Sequence, residues 1–264
     1  MKLKPIPKSP KVVLLANDLV GLEVAKYLSE CKEKIVALVL HPKSNERFSS
    51  KIKSVLLRGG LVRKNIFYAD QLRDPVYLEK ISKLNPGLAI SAWFGHVLKK
   101  NFIDIFPSGV INFHNSYLPY NRGKYPHVWA LYDESKYGVS LHYIDEKIDT
   151  GKIITRQEIR AMHTDIAGSL YDISLHEIIK LFIKTWPALK KNKIRPISQN
   201  KNGTHHFAKE VERLDFIDIK KRYLGKDLIN QLRSRSFKNR SYAYFLHEGK
   251  RVYIKVTLSE RPNF

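Results

Sequence analysis

KVVLLANDLVGLEVAKYLSECKEKIVALVL, residues 11–40, decides the fold class. Val12–Ala16 is a short apolar run without polar alternation, the pattern of a strand buried on both faces. After Asn17-Asp18, Leu22, Val24, Ala25 and Leu28 recur at helical spacing. Lys34–Leu40 is a second apolar run, and His41-Pro42 closes it because proline ends regular pairing. Strand, helix and strand in this order make a β–α–β unit.

The same alternation continues outward. Phe48–Leu57 is expected to be a helix broken by Gly59-Gly60, and Ile66–Tyr68 a short strand. Asp74–Leu84 follows as a helix and Leu88–Trp93 as a fourth strand. The expectation is an α/β fold: a Rossmann-like, mostly parallel sheet with helices on both faces. No G-x-G-x-x-G follows the first strand and no G-x-x-x-x-G-K-[ST] occurs, so a pyrophosphate cradle at the first turn is not expected. Ligands of such sheets bind beyond the carboxyl ends of the strands, which directs attention past Trp93 and Phe113.

Composition bounds the rest. With 264 residues, 43% of them hydrophobic, the chain can bury one substantial core and a small second unit. No run of eighteen apolar residues occurs, and the basic opening MKLKPIPKSPK leads only into VVLLA without a cleavage pattern, so a soluble, cytoplasmic protein with no membrane partner is expected. The single cysteine, Cys31, excludes an intramolecular disulfide and a cysteine-based metal site. A net charge of +22 fits either a surface for polyanions or anionic small substrates, or a general abundance of lysine.

The stretch Ile111–Gly151 carries the chemistry. In INFHNSYLPYNRG, Asn112 and His114 alternate with Ile111 and Phe113 and share one face of a strand end. Ser116, Leu118-Pro119 and Arg122-Gly123 follow in a loop, and Tyr125-Pro126 opens a helix over His127–Leu131. Val139–Ile144 reads as another strand, and Asp145–Asp149 as the loop before Gly151. Asp149 is either a turn residue beside Thr150-Gly151 or a carboxylate that orients His114, raises its pKa and accepts a proton.

The set Asn112-x-His114, Ser116-x-Leu118-Pro119, Arg122-Gly123 and Asp149-Thr150-Gly151 closely resembles formyltransferases that use N10-formyltetrahydrofolate, over about Lys11–Lys190. The resemblance implies the formyltransferase fold, a catalytic trio of Asn112, His114 and Asp149, and N10-formyltetrahydrofolate as co-substrate with no metal. It also implies a folate pocket on Phe94, Gly95, His96, Val97 and Leu98 with Asp145, Glu146 and Ile148, held largely by backbone groups, and Ile103 as an apolar wall. Formyl transfer to an amine passes through a tetrahedral intermediate. An asparagine amide and an imidazolium suit its oxyanion, and a carboxylate suits the departing proton.

The remaining chain concerns the acceptor. A long helix over Ile166–Leu189 is expected to close a catalytic domain at 1–190, with 191–202 as linker and 203–264 as a small α+β unit for substrate binding or dimerisation. That unit ends in a β-hairpin built from Ser241–Leu246 and Arg251–Leu258 around Glu248-Gly249. Adjacent His205-His206 lack a further ligand at a recognised interval, so metal is not expected there. Within the resemblance, Pro126-His127-Val128-Trp129-Ala130-Leu131 and the tail are similar to nucleotide-sugar N-formyltransferases. Methionyl-tRNA formyltransferase carries a larger β-barrel tail and a basic insertion not seen here, so nucleic acid is the less expected partner.

A nucleotide diphosphate sugar needs cations for its pyrophosphate and a flat apolar surface for its base. Lys209, Arg233, Arg235 and Lys238 are candidates for the first, and Phe237, Tyr242, Tyr244 or Phe245 for the second, with Arg122 and Tyr125 as further substrate-binding candidates. The expected acceptor is a dTDP-, GDP- or UDP-linked amino-dideoxy sugar for a surface polysaccharide of O-antigen type, handled by a homodimer. The alternatives are formylation of methionyl-tRNA and a non-catalytic, basic RNA-binding module on the same fold.

Overall fold

The structure, a computed structural model, describes residues 3–42, 44, 45, 47–200 and 202–261. Met1 and Lys2 of the basic opening, Lys201 of the expected linker and the last three residues lie outside them. In chain order the elements are β1 (Lys11–Ala16), α1 (Asp18–Glu30), β2 (Lys34–Leu40), α2 (Ser49–Arg58), β3 (Ile66–Tyr68), α3 (Pro75–Lys83), β4 (Leu88–Ala92), α4 (Lys100–Ile103) and β5 (Val110–His114). Next come β6 (Arg122–Gly123), α5 (Pro126–Tyr132), β7 (Gly138–Tyr143), β8 (Ile153–Glu158) and α6 (Ala167–Lys190). The chain then forms β9 (His205–His206), a 3-10 turn (Ala208–Leu214), α7 (Gly225–Ser234), β10 (Ser236–Phe237), β11 (Arg240–Ser241), β12 (Tyr244–His247) and β13 (Lys250–Tyr253).

Seven strands form one sheet in the order β3-β2-β1-β4-β5-β7-β8. Pairing is parallel from β3 through β5, and β7 then runs antiparallel to β5. The expected fold, a mostly parallel sheet with helices, is the one observed. Strand order reverses beside β1, the place where open sheets of this kind hold ligands at their carboxyl ends. β1 and β4 are almost wholly buried, which is why their apolar runs show no alternation.

Element ends differ from the expectations by about a residue, each for a local reason. α2 starts at Ser49 because Phe48 takes a left-handed conformation (φ 58°) that no helix continues through. α3 starts at Pro75, and Asp74 caps it by accepting the Val76 N–H at 2.8 Å. β4 stops before Trp93, whose φ is 60°.

Contacts divide the chain into two compact units. The first comprises residues up to His114, Ser140–Thr155 and His176–Gln199. Its core includes Val13, Leu15, Val39, Phe67, Ala89, Phe94, Leu98 and Phe102. Glu33 is buried there, accepting the Trp186 indole N–H at 2.9 Å and pairing with Lys190, so the polar ends of two apolar segments are satisfied.

The second unit comprises Asn115–Val139, Arg156–Leu175 and the chain from Asn200 onward. Its terminal hairpin is shorter than expected. β12 and β13 pair from Tyr244↔Tyr253 to His247↔Lys250, with Glu248 and Gly249 both at positive φ as a tight hairpin turn requires. Ser241 belongs instead to the β10–β11 pair, because Ala243 is buried and its carbonyl accepts the Ile254 N–H. Among the described residues no helix is long and apolar enough to cross a membrane.

Candidate active site

β5 and β7 bring the polar residues of the first unit together. Their register places Asn112 opposite His142 and His114 opposite Ser140, so Asn112 and His142 share a face. The Asn112 Oδ1 accepts the Ser91 hydroxyl at 3.0 Å, and its Nδ2 lies 3.1 Å from the His142 Nε2. The His142 Nδ1 is 2.8 Å from the Tyr143 carbonyl oxygen, which can only accept. Nδ1 therefore carries a proton, and both the Asn112 amide and the Asp149 carboxylate face Nε2. The Asn112 amide is held at both ends, its Oδ1 by the Ser91 hydroxyl and its Nδ2 by the His142 ring.

Asp149 completes the cluster. Its Oδ2 stands 3.5 Å from the His114 Nδ1 and its Oδ1 3.4 Å from the His142 Nε2. The side chains of His114 and Asp149 are 7% and 12% exposed, so their attraction is little screened. Asp149 sits at φ 55°, an unusual conformation for a residue with a side chain. The Gln199 Nε2 stabilises it by donating to the carbonyls of Asp149 at 2.8 Å and Gly151 at 2.7 Å.

Gly151 lets the loop close on β7. A Cβ there would lie 1.8 Å from the Tyr143 carbonyl oxygen, so the backbone must move to admit one. Gly151→Ala is expected to lower stability by about 3 kcal/mol, as overpacking of backbone does. Urea denaturation checks this, and an unchanged midpoint would show that the approach is looser than drawn.

The segments expected to meet folate border one apolar cluster. Phe94 and Leu98 are in it, and Ile103 and Ile144 pack against it. Ile103 lies on α4, so helix packing and an apolar wall are both served. Gly95, His96 and Val97 are exposed, Val97 at 80%. His41, from the end of β2, accepts the Gly95 N–H at 3.3 Å and meets the rings of Phe94 and His96 edge-on. Across from them, the Asp145 Oδ1 accepts from the Thr150 hydroxyl at 2.7 Å and the Lys147 N–H at 3.2 Å. Glu146 stands 3.8 Å from Lys100, and Ile148 is exposed. Residues 95–97 are thus exposed beside an apolar cluster, and the Asp145 side chain is spent on the shape of its own loop.

The residues expected to meet a nucleotide sugar all lie in the second unit. Arg122 is half-buried, Tyr125 is exposed with φ 58°, and Lys209 is exposed. Phe237 packs against His127 and Tyr171, and Tyr244 against Phe216 and Tyr253, so the two rings belong to separate clusters. Arg233 and Arg235 are not the solvent-facing cations expected of a pyrophosphate site. Both are 7% exposed. Arg233 donates to the Met162 and His163 carbonyls at 3.1 and 3.2 Å, and Arg235 pairs with Asp215 at 2.5 Å.

Sequence reading missed Ser91, His142 and Gln199. The signal for His142 was its place in VSLHYI, two residues from Ser140 on the same strand face. Only the antiparallel register puts it on Asn112. Among the described residues no three His, Cys, Asp or Glu side chains are grouped as a metal centre needs.

The chain as a whole is similar to known proteins. Over 232 residues, the chain is 29% identical to a methionyl-tRNA formyltransferase of Geobacillus sp. (strain WCH70), covering 84% of this chain and 70% of that one. Its fold is similar to a 4-N formyltransferase from Francisella tularensis (TM-score 0.79, 21% identity, 96% and 100% of the two chains). It is also similar to an N-formyltransferase from Helicobacter canadensis in complex with folinic acid and dTDP-3-aminofucose (TM-score 0.67, 19% identity, 92% and 86% of the two chains). Residues 210–260 match the N-formyltransferase dimerization C-terminal domain. Residues 22–185, more than half of the chain, match the formyl transferase family, and the protein belongs to that family as an N-formyltransferase.

Proposed function

We propose that this enzyme transfers the formyl group of N10-formyltetrahydrofolate to the amine of a nucleotide-linked amino-dideoxy sugar. The observation that supports the acceptor class is the fold shared over 92% of this chain with the Helicobacter canadensis N-formyltransferase, and the match of residues 210–260 to the N-formyltransferase dimerization domain supports a homodimer. The Helicobacter canadensis neighbour, which holds a folate and a dTDP amino sugar, supports both substrates. A homodimer, a cytoplasmic setting and a role in surface polysaccharide synthesis belong to the same reading.

Folate supplies an activated formyl group. The segments at Phe94–Leu98 and Asp145–Ile148 hold it in this reading, with Ile103 as a wall. An amide nitrogen carries two hydrogens, and His142 engages one from Asn112. The second is offered to the formyl oxygen as it gains negative charge. His114 is the other donor, with the Asp149 carboxylate 3.5 Å from its Nδ1. Each such donor is worth about 2.7–4 kcal/mol in a dry site. Asp149 then takes the proton that the attacking nitrogen loses, directly or through a water. As the intermediate collapses, the bond from the formyl carbon to N10 breaks and N10 takes up a proton, so that tetrahydrofolate leaves. Arg122, Tyr125, Lys209, Phe237 and Tyr244 are the proposed contacts to the nucleotide sugar, while Arg233 and Arg235 are already committed to protein groups.

The test follows tetrahydrofolate release with dTDP-, GDP- and UDP-linked amino sugars or with methionyl-tRNA. Release is expected with a nucleotide amino sugar. The 29% identity to methionyl-tRNA formyltransferase and the charge of +22 favour tRNA as the second reading, and release with tRNA alone would establish it instead.

A further inference from the structure

The segment Gly203–His206 straps the loop that holds Arg122 and Tyr125. β9 pairs with β6, Arg122 against His205 and Gly123 against His206. The Arg122 N–H donates to the Thr204 carbonyl at 3.0 Å and the Lys124 N–H to the His206 carbonyl at 2.9 Å. The Asn121 N–H donates to the Thr204 hydroxyl at 2.7 Å. Contact is close enough that a Cβ at Gly123 would lie 2.2 Å from the His206 carbonyl oxygen.

Two residues on each side do not make a stable sheet, so the strap needs an anchor. His206 supplies it. Its ring lies flat on the Trp129 indole, with centroids 4.0 Å apart and planes at 8°. Trp129 is wholly buried on α5, and the Arg213 guanidinium lies 5.2 Å from its ring. The carboxylates of Glu210 and Asp133 stand 3.5 and 3.9 Å from the two imidazole nitrogens. Downstream of the clamp, Tyr125 is exposed yet held at φ 58° and ψ 45°, a conformation that costs a tyrosine about 1–3 kcal/mol and persists only where its surroundings impose it.

We propose that His206 is a positioning residue for the acceptor: stacked on Trp129, it pins the Gly203–His206 strap and so sets the Asn121–Tyr125 segment in the shape that receives the nucleotide sugar. This role rests on the acceptor reading of Arg122 and Tyr125. It makes the strap and the acceptor loop one functional piece, although they are far apart in sequence.

The experiment compares His206→Ala and His206→Phe with wild type by hydrogen exchange at the Arg122 and Lys124 amides and by steady-state kinetics. His206→Ala is expected to speed exchange at both amides and to raise the acceptor KM, each by about tenfold, the loss expected from one stacked ring pair. The folate KM and kcat stay as in wild type. His206→Phe keeps the stack and restores both readouts. Unchanged exchange in His206→Ala overturns the proposal, as does faster exchange with an unchanged acceptor KM. A parallel loss of kcat and folate KM, or failure of phenylalanine to restore, overturns it as well. Wild-type enzyme that formylates another amine but no nucleotide amino sugar overturns the acceptor reading, and this role with it, before any variant is made.

Discussion

His114→Ala or Asp149→Asn lowers kcat by about 10²–10⁴-fold, the range expected when a positioned proton-transfer group is lost. Asp149→Asn is the cleaner substitution. It keeps the volume of the side chain, but an amide replaces one acceptor oxygen with an NH2 donor, holds no negative charge beside the His114 Nδ1, 3.5 Å away, and takes no proton from nitrogen. The backbone that places residue 149 is fixed by Gln199 and by the close approach of Gly151, neither of which depends on the carboxylate. The melting temperature of Asp149→Asn should therefore match wild type while turnover collapses. Measurement of kcat together with thermal unfolding checks this, and wild-type-like turnover in either purified variant would remove the proposed trio.

The sheet was legible because its strands are buried on both faces. KVVLLA, KIVALVL and LAISA are short apolar runs without polar alternation, the first ended by Asn17, the second by His41-Pro42, and the third opened after Asn85-Pro86-Gly87. The antiparallel turn of β7 was not legible. VSLHYI is equally consistent with either direction, since direction is set by the path from His114 through α5, which no local pattern encodes. The same limit hid His142. Its contact with Asn112 is a register fact, and register becomes visible only when both strands are placed.

The tail shows a second limit. Helical spacing shows that α7 has two faces but not where a guanidinium goes. Arg233 and Arg235 reach inward to carbonyls and to Asp215, because long side chains can carry charge to buried acceptors. Likewise Ser241–Leu246 alternates as one strand would, yet buried Ala243 divides it between two separate pairs. Pattern tells which residues avoid water, and not which partner excludes it.

Lowering the pH from neutrality costs the wild-type protein stability that a His127→Phe variant keeps. His127 is buried on α5, edge-on to Tyr171 at 5.3 Å and tilted against Phe237 at 5.8 Å, and its Nδ1 has no hydrogen-bond partner among the described residues. Burial first, and then the positive charge of Arg235, push its pKa down from 6.5 to about 3. The folded pKa lies below the unfolded one, so as pH falls the unfolded chain binds the proton first. The contribution is complete above 6.5 and is lost between 6.5 and about 3. Each pH unit in that window removes about 1.4 kcal/mol, which gives about 3 kcal/mol near pH 4.5. Phenylalanine fills a similar space and binds no proton, and the neighbouring Arg235–Asp215 pair is common to both proteins and cancels in the difference. Urea unfolding of both proteins across this range should show the wild-type free energy falling more steeply by that amount. Parallel curves would mean that His127 takes up its proton in the folded state, and the burial assigned to it would be wrong.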